Sequence, residues 1–85
     1  MLEFVFEIRP VGRTWTLAPR EGGRTLCFDT LALAERRARW LAIRQDVRGL
    51  PSAIEVLDAA GQIVGVWRGE RYLPARSDEG LRHAA

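Results

Sequence analysis

Residues 29–51 read DTLALAERRARWLAIRQDVRGLP, and this stretch decides the fold because it is the one segment patterned for a long α-helix. Asp29 or Thr30 can cap its first turn, since a short side-chain oxygen accepts from an orphan backbone N–H. No Glu or Gln follows three residues on, so a reciprocal capping box is missing. The far end is marked more strongly. Gly49 suits the left-handed residue after the helix, Leu50 can pack back on the last turn, and Pro51 forbids continuation. The spacing predicts a helix over residues 30–48.

At the helical step of about 100° per residue, two apolar stripes separate. Leu31, Ala34, Ala38, Leu41 and Ala42 form one, and its alanines suit close approach to a sheet. Leu33, Trp40, Ile43 and Val47 form the other, almost opposite, with Arg36 among them. Arg37, Arg44 and Arg48 line one flank; Glu35, Arg39 and Asp46 line the other. A surface helix ordinarily has one apolar stripe and one wet face. The second stripe therefore needs a cover, either Leu50, Tyr72 or Leu73 of the same chain or a partner.

Around the helix the pattern is that of strands. Leu2, Phe4, Phe6 and Ile8 alternate with Glu3, Val5, Glu7 and Arg9, as in a half-buried strand. Gly12 marks a turn, Thr14–Ala18 carries Trp15 and Leu17 to one side, and the Arg-Glu-Gly-Gly-Arg run at 20–24 makes another turn. Thr25–Phe28 adds a third short strand. After the helix, Ala53–Leu57 and Gln62–Arg68 flank Asp58-Ala-Ala-Gly61, a connector suited to a type I turn closed by a left-handed glycine. Apolar residues on both faces of Gln62–Arg68 predict a central place in the sheet. Tyr72 and Leu73 are expected to pack down as a last anchor.

The expected fold class is α+β: an antiparallel sheet of about five strands, in the order β-β-β-α-β-β, with one long helix on one face. One domain is expected over residues 1–74, followed by a flexible tail at 75–85.

The composition restricts function. Eighty-five residues hold one small core. All 13 basic residues are arginine, and the net charge is only +2, weak attraction for an anionic partner. Five of those arginines and only two acids fall in residues 30–48, so the basic excess sits on the helix. No apolar run is long enough for a membrane span. A lone cysteine excludes an internal disulfide framework and fits a reducing compartment. A cytoplasmic location and no membrane partner are expected.

Catalytic equipment is sparse. His83, the one histidine, sits in the expected tail, where nothing would position it as a base. Cys27 reads as a small core or edge residue rather than an activated thiol. One Cys and one His give no zinc spacing, and without lysine there is neither a Schiff base nor a P-loop. Asp29 and Asp58 read as cap and turn residues, Glu3 and Glu7 as a solvated face or cross-strand pair, and Trp15 and Trp67 as core. The expectation is a non-catalytic protein without cofactor or metal.

The runs Trp15-Thr-Leu-Ala-Pro-Arg-Glu-Gly, Phe28-Asp-Thr, Ala34-Glu-Arg-Arg-Ala-Arg and Ile54-Glu-Val-Leu-Asp-Ala-Ala-Gly-Gln-Ile together resemble a family of short bacterial proteins known as a domain of unknown function. Members similarly show a tryptophan strand, an Arg-Glu-Gly turn, an Asp-Thr helix start and a closing hairpin with Asp-x-x-Gly. The resemblance covers Phe6 to Arg68. It departs at Trp40-Leu41, where the family's helix turns charged, and in the longer exit over residues 44–51. A second uncharacterised family shares the closing hairpin. What either resemblance implies is the topology; neither implies catalytic residues.

Two functions fit these observations. One is a self-association or protein-interaction module, most simply a homodimer, using Leu33, Arg36, Trp40, Ile43 and Val47 as its interface. The other is a nucleic-acid-binding module, in which Arg37, Arg44 and Arg48 on the helix flank, with Arg13, Arg20 and Arg24 at the hairpin turns, would contact phosphates. The chain shows no helix-turn-helix, RRM-type aromatic signature or zinc finger to support the latter.

Overall fold

A computed structural model describes residues 3–75 of the chain. Leu2, His83 and the expected tail beyond Ala75 lie outside the described residues. Within them, the order is β1 (Phe4–Val11), β2 (Thr14–Pro19), β3 (Leu26–Phe28), α1 (Leu31–Val47), β4 (Ser52–Leu57), β5 (Ile63–Arg68) and β6 (Arg71–Pro74). The class is α+β, with one helix packed on one sheet.

The helix ends where its sequence says. Of the two candidate caps, Thr30 is used: the Leu33 amide donates to Thr30 Oγ1 at 3.2 Å. At the other end Gly49 has φ +84°, the Gly49 amide donates to the Asp46 carbonyl and the Leu50 amide to the Gln45 carbonyl, both at 2.9 Å. This paired closure satisfies carbonyls that a helix end otherwise leaves open.

The sheet departs from expectation in two ways. Its order is β3-β2-β1-β4-β5-β6, six strands rather than five, and it is mixed rather than antiparallel. β1 and β4 pair in parallel, with Phe4 opposite Ser52 and Ile8 opposite Val56, while every other pairing is antiparallel. The cause is α1. A helix lying back across the sheet returns the chain to the end from which it left, so β4 runs in the same direction as β3 and β1.

The sixth strand comes from the segment expected to be only an anchor. Gly69, at φ +63°, makes a tight turn with Glu70 that sets Arg71 opposite Arg68. Ala75 continues the contact, its amide donating to the Val64 carbonyl at 3.1 Å. β5 is thus second from the edge, and the centre belongs to β1 and β4, whose Ile8, Ile54 and Val56 are fully buried.

The helix faces are as the 100° step predicts. Ala34 and Ala38 are completely buried against Phe6, Ile8, Leu17, Ile54 and Val56, with Leu31, Leu41 and Ala42 packed around them. Two alanines at the closest approach let backbone meet sheet without a gap, which gives the interior its close packing. At the far end of the sheet, Tyr72 lies over Gly65, where a Cβ would land on the phenol. The same ring sits 5.2 Å from the Trp67 ring, in a tilted pair.

Candidate functional site

The outer face of α1 is open. Leu33, Trp40, Ile43 and Val47 are 43, 51, 56 and 81% exposed. None of the three chain-internal covers reaches them. Leu50 is itself exposed, Tyr72 is turned to Trp67, and Leu73 alternates with Tyr72 and so points to the opposite face of the sheet. Among the described residues the stripe has no cover.

Trp40 is held rather than loose. The Arg44 guanidinium carbon lies 4.8 Å from its ring centroid and that of Arg37 5.8 Å. These residues are one turn away on either side, the spacing at which helical side chains meet. Each such cation–π contact is worth roughly 0.5–1 kcal/mol at an exposed site, enough to bias the indole's rotamer. Beside it, Phe28, Leu33, Arg36, Arg37 and Trp40 line a hollow of about 470 Å³ between the helix and edge strand β3. Phe28 packs against the core. Its place on the edge strand also brings it beside the outer stripe, a consequence of strand order that alternation alone does not contain.

The arginines expected to gather for phosphates are dispersed. Arg37, Arg44 and Arg48 share the helix flank. Arg13 is exposed at the β1–β2 turn, at the opposite end of the sheet from Arg20 and Arg24. Arg20 is engaged on the face of the sheet away from α1. It donates to Glu7 Oε2 at 3.1 Å and also to Glu55 Oε1, while Arg9 donates to Glu7 Oε1 at 3.0 Å. Burial pushes the Glu7 carboxyl up, but the hydrogen bonds and charges of Arg20 and Arg9 outweigh it and hold it below its ordinary range. The hydrogen bonds that Arg20 donates to Glu55 and Glu7 in turn raise its guanidinium above the ordinary value.

The remaining candidates have structural roles. Asp58 Oδ1 accepts from the Ala60 and Gln62 amides at 2.9 Å each, which fixes the hairpin turn. Glu3 pairs with Arg68. Cys27 is exposed on edge strand β3. Trp15 and Trp67 are partly buried against the core, and the Trp67 Nε1–H donates to Glu35 Oε2 at 3.1 Å. No helix among the described residues is long and apolar enough to cross a membrane. The chain matches no protein-family model, no curated protein and no solved structure.

Proposed function

We propose that this chain is a self-association module, pairing with a second copy of itself through the outer stripe of α1. The observation that carries this is the exposure of Trp40, Ile43, Val47 and Leu33 on a helix whose other side already supplies the core. An aromatic ring pre-set by two arginines is the kind of anchor that dominates binding energy at interfaces. Arg36 can lie within the contact, its stem packed and its guanidinium at the rim. A stable pair needs roughly 1,200–2,000 Å² of total buried area. The helix stripe extended by Phe28 and the hollow beside it is the continuous surface from which to build it.

Charge favours one arrangement. In a parallel pair, with the twofold axis along the helices, opposite flanks meet: Arg37, Arg44 and Arg48 of one copy run beside the flank of the other on which Asp46 is exposed, Glu35 and Arg39 there being turned to Trp67 of their own chain. In an antiparallel pair like flanks meet, setting arginine against arginine, which is destabilising. The parallel pair is the one we infer.

The test is solution mass by sedimentation over a wide concentration range, for the unmodified chain and for Trp40→Glu. A dimer that Trp40→Glu converts to a folded monomer supports the proposal. A chain monomeric at the highest concentration, or a Trp40→Glu variant that unfolds, overturns it.

A further inference from the structure

A groove runs along the side of α1 away from β3, between the C-terminal half of the helix and the β5–β6 turn. Ala42, Ile43, Asp46, Gly69 and Glu70 line it, and its volume is about 220 Å³. Arg39 lines it too, with its guanidinium laid over Trp67. Asp46 and Glu70 are both exposed, and neither forms an ion pair among the described residues. Two carboxylates against one cation leave the groove short of a positive charge. Ile43 belongs to the outer stripe as well and is 56% exposed, so groove and stripe are one continuous surface. The volume falls below the roughly 300–1,000 Å³ of small-molecule sites; it is room for a side chain.

The arginines of the opposite flank are not equivalent. Arg37 and Arg44 lie against Trp40. Arg48 is exposed, and its side chain has neither an ion pair nor a ring contact among the described residues. It stands two residues beyond Asp46, about 3 Å further along the helix axis. A parallel pair sets the flank of one copy beside the opposite flank of the other at the same height, so Arg48 comes level with its partner's groove. We propose that each groove receives Arg48 of the second copy. The aliphatic stem packs on Ile43, and the guanidinium donates to Asp46 and Glu70. This inference rests on the parallel self-association proposed above and adds the β5–β6 turn to that interface. Twofold symmetry forms the contact twice.

Charge reversal tests the contact. Sedimentation of Arg48→Glu and of Glu70→Arg, beside the unmodified chain, should show each reversal weakening the dimer roughly tenfold, since like charges then meet at both copies of the contact. Both positions are exposed, so neither change should alter folding, which thermal unfolding checks. Mixed in equal amounts, the two variants should form a heterodimer in preference to either homodimer, because both of its contacts again pair opposite charges. Native mass spectrometry separates the three species. An unmodified chain that stays monomeric overturns the self-association and this contact with it. A dimer that the reversals leave intact, or a mixture with only the statistical share of heterodimer, overturns the contact and leaves the self-association standing.

Discussion

The Trp67 indole N–H donates to Glu35 Oε2 at 3.1 Å across the gap between helix and sheet. Arg39, one turn along α1 from Glu35, lays its guanidinium over the same indole, 4.5 Å from the ring centroid. A carboxylate and a cation from consecutive turns thus hold one ring, tying α1 to β5 on the side of the sheet away from β3. Glu35→Ala leaves a part-buried N–H unpaired and should cost about 1–2 kcal/mol. Glu35→Gln keeps an acceptor and should cost less. Chemical denaturation of the two variants checks the order.

The same carboxylate reaches Tyr72. Burial raises the Tyr72 phenol above its ordinary value, and the charge of Glu35 raises it further. Glu35→Gln should therefore lower the phenol's pKa while leaving it above the ordinary value, because burial persists. Tyr72 is the only tyrosine in the chain, so an ultraviolet titration of phenolate reports it alone. An unchanged titration would show that Glu35 does not act on the ring.

Gly65 is required by its neighbour rather than by its backbone. Any Cβ there meets the Tyr72 phenol, so Gly65→Val should expel the ring, break its pairing with Trp67 and destabilise by roughly 1–3 kcal/mol, the cost of overpacking. The variant Gly65→Val/Tyr72→Ala should recover part of that loss. Thermal unfolding of the single and double variants decides the matter.

On the open face, Glu7 and Glu55 stand directly opposite each other in the parallel register, with Arg20 bridging them. The folded Glu7 pKa lies below its unfolded value. The contribution is therefore complete above the ordinary carboxylate range and is lost as pH falls through the folded pKa. Glu7→Gln should flatten the acid limb of stability against pH, by less than about 1 kcal/mol for so exposed a pair. Arg20→Gln should act oppositely: two facing carboxylates that have lost their bridging cation and keep only Arg9 beside Glu7 cost most at neutral pH and least in acid. Melting temperatures across the acid range separate the two.

The parallel dimer has a direct chemical test. With the twofold axis along the helices, Val47 faces its own copy, whereas in an antiparallel pair it faces Leu33. In a Cys27→Ser background, Val47→Cys should form an intermolecular disulfide on mild oxidation at a far higher yield than Arg39→Cys. Equal yields would exclude the parallel arrangement.

Much of this was legible because it is local. The Thr30 cap, the Gly49 closure and the burial of Ala34 and Ala38 follow from side chains within a few turns of one another. Strand order is a different kind of quantity. Nothing in the alternation of Phe4, Phe6 and Ile8 says that β4 will lie beside β1. A usable signal was nonetheless present, since a strand, a long helix and a strand in one sheet imply a parallel crossover. β6 was missed because Arg71–Pro74 is short, apolar on both sides and closed by proline, the pattern of an edge strand; the Gly69-Glu70 turn was its only marker. The hollow beside Phe28 was not legible at all, because it is made where edge strand β3 meets α1.

The single parallel ladder also orders events in time. β1–β2–β3 and β4–β5–β6 are two meanders, each closed by short turns and each cheap to form in loop entropy. The joint between them, from Phe4 to Ser52, spans all of β2, β3 and α1. Chains with such a distant pairing are slow at that step. The helix lies across both meanders, so its alanine face is the surface on which they meet. Early protection from hydrogen exchange should appear within each meander and late protection along β1–β4. The step that completes the sheet is then the one in which α1 loses water from its inner face and the second, outer stripe becomes the protein's remaining apolar surface.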